Sequence, residues 1–245
     1  MARIFITGSA DGLGHLTAKS LVAQGHGVVL HARSTERAKQ TIEKISGAES
    51  VLVADLASID ETIKLADEVN ALGKFDAIIH NAGVYRTSGE IIFAVNTLAP
   101  YILTCLIQKP TRLIYLSSGM HSGGNPNRLD SDFANRRTSY SDSKFHDVIL
   151  TMAVARNWPD VYANAVNPGW VSTKMGGPGA PDDLKKGYQT QEWLAVSDED
   201  AAKVTGKYFY HKKQQDYLSA AEVPAVQESF LSLCEQVTGV RFPGE

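Results

Sequence analysis

Residues 3 to 14 read Arg3-Ile-Phe-Ile-Thr7-Gly8-Ser-Ala-Asp-Gly12-Leu-Gly14, an apolar run followed by three glycines. A short, continuous apolar run predicts a strand that is buried on both faces. The glycines predict a tight turn, and apolar residues at helical spacing from Leu13 to Gln24 predict a helix directly after it. The chain therefore begins with a strand, a glycine turn and a helix, the first unit of an α/β fold.

The same alternation continues along the chain. Further apolar runs predict strands near residues 28–30, 51–53, 77–79, 113–116 and 163–166, with helical patterns between them, such as 35–46 and 59–72. Strands that alternate with helices form a parallel sheet with right-handed crossovers and helices on both faces. We therefore expect a doubly wound Rossmann fold, with residues 1–245 as a single domain. The 245 residues, 43% of them hydrophobic, suffice for a complete core without disulfides.

Composition and charge exclude several classes of protein. Lys and Arg total 24 against 27 Asp and Glu, a formal net charge of -3 without a basic run, so we expect no nucleic-acid partner. No apolar stretch approaches the roughly 18 residues that span a bilayer, and no secretory signal is present, which predicts a cytoplasmic protein without a membrane partner. The cysteines and histidines lack metal-ligand spacing, so we expect no metal site; these residues are Cys105, Cys234, His80, His121 and His146.

The glycine turn has the position that a dinucleotide requires, between the first strand and the first helix. Glycine lets the backbone approach a pyrophosphate closely, and the helix N-terminus offers unpaired N–H groups and partial positive charge to the anion. The alternative is a plain tight turn, because the spacing of Gly8, Gly12 and Gly14 differs from the usual G-x-G-x-x-G. The position favours a nicotinamide dinucleotide.

The end of the second strand bears on the choice between NAD and NADP. A carboxylate there would bind the ribose 2′-OH of NAD, whereas an arginine accommodates the 2′-phosphate of NADP. The strand ends His31-Ala-Arg33-Ser34, so Arg33 and Ser34 favour NADP(H) over NAD(H), the alternative being a solvated arginine. Asp55, after the third strand, either accepts a bond from the adenine amino group or caps the helix near Ser58.

Tyr140 and Lys144 are four residues apart, a spacing that puts a phenol and an ammonium on one face of a helix. A phenol with a reference pKa of about 10 exchanges protons poorly at neutral pH, and a neighbouring cation favours its ionised form. Residues 139–142 resemble a capping box, which would place the phenol in the first helical turn. Taken alone, such a pair is more often a solvated helix face.

The pair does not stand alone in the sequence. It occurs with the early glycines and with His80-Asn-Ala-Gly83, Asn96, Ser117-Ser118 and Asn167-Pro-Gly-Trp-Val-Ser-Thr173. The order and spacing of these motifs resemble the short-chain dehydrogenase/reductase superfamily along most of the chain, and the glycine turn is that superfamily's own form of the dinucleotide fingerprint. The long gap from Ser118 to Tyr140 and the segment 197–209 resemble its retinol-dehydrogenase-like and carbonyl-reductase-like branches.

The resemblance implies a role for each of four residues. Tyr140 would be the acid that protonates a substrate carbonyl, or the base in the reverse direction. Ser118 would hydrogen-bond the same oxygen. Lys144 would favour the ionised phenol and hold the nicotinamide ribose, and Asn96 would position water in a proton relay. The hydride would come from the cofactor.

The sequence and the resemblance together mark a set of residues for contact with the cofactor. Those of the glycine turn are Thr7, Gly8, Ser9, Asp11, Gly12, Leu13 and Gly14. Those toward the adenosine are Arg33, Ser34, Asp55, Leu56, Asn81, Ala82 and Gly83. Those bordering the nicotinamide are Pro168, Gly169, Val171 and Thr173, beside Tyr140 and Lys144.

Residues 175–183 contain three Gly and two Pro, too many for a helix or a central strand. They follow a strand that ends near Asn167, so we expect a substrate lid at about residues 171–195, an inert surface loop being the alternative. Trp170, Met175 and Trp193 would line an apolar substrate pocket or else belong to the core.

These features predict an NADP(H)-dependent oxidoreductase that transfers a hydride between the cofactor and a carbonyl or secondary alcohol of a small, apolar molecule. The alternatives are a non-catalytic NADP-binding regulatory protein, an NAD-dependent alcohol dehydrogenase, and a dehydratase or epimerase that acts on a nucleotide sugar. The helix from about residue 90 to 108 is shorter than the superfamily's usual interface helix, so we expect a monomer or homodimer.

Overall fold

An eight-stranded sheet forms the centre of the computed structural model, which describes residues 1–244. Its strands are β1 Arg3–Ile6, β2 Gly27–Ala32, β3 Ser50–Val53, β4 Ala77–His80, β5 Arg112–Leu116, β6 Tyr162–Asn167, β7 Lys207–Tyr210 and β8 Lys213–Gln214. They lie in the order β3-β2-β1-β4-β5-β6-β7-β8, and every neighbouring pair is parallel except β7 with β8. The predicted doubly wound α/β fold is confirmed.

Helices connect the parallel strands. They are α1 Gly12–Ala23, α2 Thr35–Lys44, α3 Ile59–Ala71, α4 Gly89–Ile92, α5 Ala99–Leu106, α6 Leu129–Ala134, α7 Tyr140–Asn157, α8 Leu184–Val196 and α9 Pro224–Thr238. Several begin where a short polar side chain accepts a hydrogen bond from an N–H of the first turn: Asp11, Ser34, Ser58, Ser139 and Asp183. The sequence thus sets the start of α7 at Tyr140.

The sheet is buried on both faces, which explains why its strands are continuous apolar runs. One core contains α3, α5, α7 and α9 and includes Leu65, Tyr101, Phe145 and Phe230. The other contains α1 and α8, with Leu21 and Trp193 among its members. Burial of apolar surface on both sides holds the carboxyl ends of the strands in a fixed register.

Strands β1 to β3 fill one half of the sheet and the strands from β4 onward fill the other, so the two halves meet where β1 pairs with β4. The connections after these neighbouring strands leave toward opposite halves of the sheet, which opens a crevice at their carboxyl ends. The glycine turn follows β1, and residues 81–83 follow β4. The topology therefore places both motifs at the edge where ligands bind in open α/β sheets.

The expectation that no apolar stretch approaches the length of a membrane span is wrong. Residues 89–106 form a continuous helical segment that is long and apolar enough, by composition alone, to span a bilayer. It is 67% buried and packs against α3 and α7. The segment is a core helix, made apolar all round because it is enclosed by other elements. Its middle, Phe93–Leu98, is a π-helical turn that contains Asn96.

The region expected to form a lid consists of two different parts. Residues 168–183 form a loop that is pinned to itself by a bridge between Val171 and Asp182 and by a bond from the Trp170 N–H to Asp182. Residues 184–195 belong to α8, which packs against α1 and carries the buried Trp193. Any movement over the cleft is therefore restricted to the loop. Strand β7 and helix α9 were not predicted.

Candidate active site

A cleft of about 450 Å³ opens at the carboxyl ends of the strands, between the turn after β1, the segment after β4 and the start of α7. The predicted site residues that line it are Gly8, Asp11, Gly12, Leu13, Arg33, Asp55, Leu56, Asn81, Ala82, Gly83, Tyr140, Lys144, Pro168 and Thr173. The predicted residues that lie outside the cleft lining are Thr7, Ser9, Gly14, Ser34, Asn96, Ser118, Gly169 and Val171.

The glycine turn is compact enough to require glycine at two positions. Gly8 has φ +62°, and a Cβ on it would lie 2.8 Å from the Cα of Ala82. A Cβ on Gly14 would lie 2.7 Å from the carbonyl oxygen of Gly8 and would collide with the Asn81 amide. Side chains at these positions would push β1 and β4 apart. The turn thus delivers the N-terminus of α1 to the floor of the cleft.

Two side chains beneath the turn hold it in place. The Thr7 hydroxyl accepts bonds of 3.0 Å from the N–H groups of both Asn81 and Ala82. The Ser9 hydroxyl accepts a 2.8 Å bond from the N–H of His31. Thr7 and Ser9 are therefore placed to shape the turn from behind.

His31, which the sequence analysis did not select, fixes the first glycine to β2. Its Nδ1 accepts a 3.0 Å bond from the N–H of Gly8, and its Nε2 donates to the carbonyl oxygen of Ala54 at 3.0 Å. Burial lowers the pKa of His31 to about 4, so the ring is neutral and retains an acceptor for Gly8. A single histidine in a strand gives no such signal before the fold is known.

Cations gather at the end of β2. Arg33 lies on the cleft, and Arg37, in the first turn of α2, places Nη2 3.4 Å from Oδ2 of Asp11. Lys174, from the loop after β6, pairs with the same carboxylate. Burial acts to raise the pKa of Asp11, but the bonds from Lys174, Gly12 and Arg37 lower it overall. Arg37 and Lys174 were not predicted, and both line the cleft.

Ser34 and Asp55 both lie in turns that start helices. The Ser34 hydroxyl caps α2 by accepting from the N–H of Arg37. Asp55 does not cap α3; Ser58 does so, accepting from the N–H of Glu61 at 3.2 Å. Asp55 instead accepts a 3.0 Å bond from the N–H of Ala57. Asp55 lines the cleft, and its bond to the adenine amino group stays a prediction.

Tyr140 and Lys144 meet on the cleft wall. Tyr140 is the first residue of α7, and the Lys144 Nζ lies 5.8 Å from the centre of its ring. The ammonium is buried and donates bonds to the carbonyl oxygen of Leu116 at 2.7 Å and to Asp147 at 2.9 Å. The other face of the phenol contacts the ring of Tyr85, at 4.7 Å between centres. The spacing in sequence thus produces a phenol beside a fixed cation.

Asn96 lies behind this wall. Its Oδ1 accepts a 2.8 Å bond from the Val84 N–H, and its Nδ2 donates to the Val84 carbonyl oxygen and to the Ser143 hydroxyl, each at 3.0 Å. These bonds tie the segment after β4 to α7. Its side chain is thus already occupied by protein groups.

Ser118 follows β5 and caps a short 3₁₀ turn, Gly119–Gly123, by accepting from the Met120 N–H at 3.2 Å. Its neighbour Ser117 lines the cleft and donates a 2.8 Å bond to the carbonyl oxygen of Lys144. Ser117 therefore ties the end of β5 to α7, whereas the Ser118 hydroxyl bonds within its own turn, next to the cleft lining in sequence but outside it.

The histidines considered in the sequence belong to the core. Burial lowers the pKa of His80 to about 3 and that of His146 to about 4, and it lowers the pKa of His121 as well. His80 stacks on Tyr115, and His121 contacts Tyr208. Within residues 1–244 no three His, Cys, Asp or Glu side chains form a group suited to a metal ion.

Part of the cleft lining is apolar. Ile91, Val95 and Met175 belong to this part, and Ile91 and Met175 are exposed. Trp170 is exposed and donates from its indole N–H to the Gly176 carbonyl oxygen, whereas Trp193 is buried against Phe209. Of the two tryptophans, only Trp170 therefore remains available to a ligand.

Known proteins are similar to this chain over nearly its whole length. The family model of short chain dehydrogenases matches residues 2–107. An uncharacterized oxidoreductase of Emericella nidulans is 45% identical over 100% of both chains. A short-chain dehydrogenase of Penicillium rubens is 44% identical over 99% of this chain and 100% of its own, and human retinol dehydrogenase 13 is 28% identical over 98% and 85%.

Solved structures share the fold. A protein from Mycobacterium paratuberculosis has a TM-score of 0.80 and 25% identity over 99% of this chain and 95% of its own. A blue fluorescent protein from a metagenomic library, solved in complex with NADPH, has a TM-score of 0.69 and 20% identity over 84% and 95%.

Proposed function

Because the chain belongs to the short-chain dehydrogenase/reductase superfamily, on its retinol-dehydrogenase-like branch, and is an oxidoreductase of that family, we propose that it is an NADP(H)-dependent enzyme acting on a carbonyl or secondary alcohol of a small, apolar molecule. The observation that carries the proposal is the Tyr140 and Lys144 pair on the wall of a cleft whose floor is the glycine turn. A non-catalytic NADP sensor has no need of this proton-transfer pair.

The cleft fits a nicotinamide dinucleotide. Gly8 and Gly12 let the backbone of the turn come close to a pyrophosphate, and the N-terminus of α1 faces it with N–H groups and partial positive charge. Five further lining residues have a place in the proposal: Asn81, Ala82 and Gly83 would face the adenosine, and Pro168 and Thr173 would face the nicotinamide. When bound, the nicotinamide supplies or accepts the hydride.

The protein residues manage the proton. In reduction Tyr140 donates its hydroxyl proton to the carbonyl oxygen, and in oxidation the phenolate takes the proton from the alcohol. The Ser118 hydroxyl donates a hydrogen bond to the same oxygen as negative charge develops there. Lys144 stabilises the phenolate and donates to the ribose.

Asn96 acts as a positioning residue. Its side chain holds the Val84 segment against Ser143 and thereby keeps Gly83 close to the Lys144 Nζ, which would lie 3.5 Å from a Cβ at that glycine. A relay water behind Lys144 would then bind next to Asn96 rather than replace its protein partners. This assignment extends the role that the superfamily resemblance implies.

The preference for NADP rests on two arginines. Arg33 is a free guanidinium at the end of β2, and Arg37 reaches the same part of the cleft from α2. A guanidinium matches the geometry of a phosphate and pairs with it through two N–H groups. A 2′-phosphate placed here would draw Arg37 away from its exposed, weak pair with Asp11.

The substrate class follows from the apolar part of the cleft lining. Ile91, Val95 and Met175 line the same cleft as Tyr140, and the Tyr85 ring packs on its phenol, so the part of the substrate next to its carbonyl would be apolar. Burial of that part against these side chains orients the carbonyl toward Tyr140.

The packing of α9 supports a monomer. Helix α7 is buried from Asp142 to Val154 within one chain, because α9 packs against it and against α6. The Tyr101 hydroxyl of α5 donates to the carbonyl oxygen of Val240, just beyond α9, at 2.8 Å. The C-terminal segment of this chain thus covers the helices that would otherwise be free to pair with a second copy.

A panel of apolar ketones and aldehydes tests the proposed activity. Oxidation of NADPH is followed by its absorbance, with NADH in parallel and with the panel omitted as a blank. Turnover with NADPH and at least one carbonyl supports the proposal. Tight NADPH binding without turnover on any carbonyl would favour the sensor, and equal turnover with NADH would contradict the proposed cofactor preference.

A further inference from the structure

A buried carboxylate stands behind the catalytic lysine. Asp147 lies three residues after Lys144 on α7, and its Oδ2 is 2.9 Å from the Lys144 Nζ. The two side chains are only 4% and 5% exposed. Lys144 lines the cleft, whereas Asp147 is outside its lining. The pair therefore runs from the wall of the cleft into the core.

The contacts of the ammonium leave it one free donor. An ammonium has three N–H groups. One points to the carbonyl oxygen of Leu116 at 2.7 Å, at the end of β5, and a second points to Asp147. Because both partners lie on the protein side, the third N–H is left for the cleft. Removing the carboxylate would free the ammonium to turn about the single remaining bond.

Two other titratable groups face Asp147, Tyr115 on β5 and Tyr208 on β7. Burial raises the pKa of Tyr115 and of Tyr208 well above the usual range for a phenol, so both remain protonated. Among the described residues, Lys144 is therefore the cation that pairs with Asp147.

The balance of charges favours an ionised pair. Burial acts to lower the pKa of Lys144, but the Asp147 carboxylate, followed by Tyr140, raises it overall. Burial raises the pKa of Asp147, and the ammonium opposes that rise. A buried amine without such a partner loses its proton readily, because the low-dielectric interior disfavours an isolated charge.

We propose that Asp147 is a positioning residue of the active site: its carboxylate keeps the Lys144 ammonium charged and turned so that its free N–H faces the cofactor ribose and its charge stays beside Tyr140. This inference rests on the proposed function, because it assigns a task to Lys144 in that reaction. Asp147 touches neither substrate nor cofactor.

The expected pH effect has a definite sign. Oxidation of an alcohol requires the phenolate of Tyr140, so its kcat/KM rises with pH along an acid limb. A charged lysine favours the phenolate and moves this limb to lower pH. If Asp147 keeps the lysine charged, Asp147→Asn weakens the stabilisation of the phenolate by that charge. The acid limb then moves to higher pH, by about one unit, and kcat/KM for oxidation at pH 7 falls about tenfold.

A matched variant separates this effect from a loss of packing. Asp132 is also a buried carboxylate, and it bonds to Thr138 and Arg128 away from the cleft. We expect Asp132→Asn to reduce stability without moving the acid limb. An acid limb that stays in place in Asp147→Asn, or that moves to lower pH, overturns the proposal.

The wild-type protein provides a second test that does not depend on the folding of Asp147→Asn or on a known substrate. The ¹⁵N shift of the Lys144 Nζ, assigned by its absence in Lys144→Met, reports the charge of the amine. We expect a charged amine from pH 6 to about pH 10. An amine that loses its proton below about pH 9 overturns the proposal. If no carbonyl is turned over, the proposed reaction is contradicted, but the charge of the Lys144 amine still tests the role of Asp147.

Discussion

The Nζ of Lys144 lies 5.8 Å from the centre of the Tyr140 ring, one helical turn away on α7, while a second phenol, Tyr85, packs 4.7 Å from that ring on another side. The cation and the ring restrict the phenol to the wall of the cleft. We therefore expect this phenol to exchange its proton with a ligand in the cleft rather than with a group in the core.

Removing the hydroxyl of that phenol tests its role. Tyr140→Phe retains the ring and its contact with Tyr85 but lacks the transferable proton. We expect kcat to fall by about 10²–10⁴, the usual contribution of general acid catalysis, while the Kd for NADPH changes little. Steady-state assays measure kcat, and fluorescence titration measures the Kd for NADPH. Full activity in Tyr140→Phe would refute the mechanism.

The two arginines at the end of β2 predict the discrimination between cofactors. Arg33→Ala and Arg37→Ala each remove a charge-assisted bond to the 2′-phosphate, so the KM for NADPH should rise about tenfold or more, with the KM for NADH almost unchanged. Arg156→Ala, which breaks an exposed pair with Glu228 at the far end of α7, is the control. Equal changes for both cofactors would show that the arginines do not read the phosphate.

His31 predicts a pH dependence of stability. Its pKa is lowered to about 4 by burial, so between pH 6.5 and 4 the unfolded chain binds a proton that the folded chain does not. Its contribution is present above pH 6.5 and is lost as the pH falls, about 3 kcal/mol in all. Urea unfolding of wild type and of His31→Gln at pH 7.5 and 4 isolates this contribution. The unfolding free energy of wild type minus that of His31→Gln should be smaller at pH 4 than at pH 7.5 by about 3 kcal/mol. The raised pKa of Asp147 makes the unfolding free energy change with pH in the opposite direction. This effect is the same in both proteins, so it cancels from the difference between them.

The position of α9 predicts a monomer. Light scattering should give the mass of one chain, 26.6 kDa. Phe230→Ala opens the contact of α9 with Phe133 and His146, whose rings lie 5.8 and 5.5 Å away, and should cost about 3–5 kcal/mol of unfolding free energy. Val223→Ala, at an exposed position, should change little. A stable wild-type dimer or tetramer would contradict this prediction.

The first six strands, the glycine turn and the start of α7 could all be recognised from the sequence, because each depends on a local pattern. Continuous apolar runs, glycines closely spaced after the first strand and a serine cap before Tyr140 act over a few residues, and strands that alternate with helices then predict a parallel sheet. Strand β7 escaped prediction because it is short and polar at its first residue, and α9 because it lies outside the alternating pattern.

Charge and burial at long range required the folded chain. Arg37 and Lys174 converge on Asp11 across 26 and 163 residues of sequence, and His31 reaches Gly8 across 23. Asp147 stands one turn from Lys144 in any helix, yet nothing local distinguishes a solvated pair from a buried one. Burial is a property of what packs around α7, and that is decided by β5, β7 and α9 together. The local sequence therefore supplies the reactive groups, and the packing of distant segments assigns them their charges and directions.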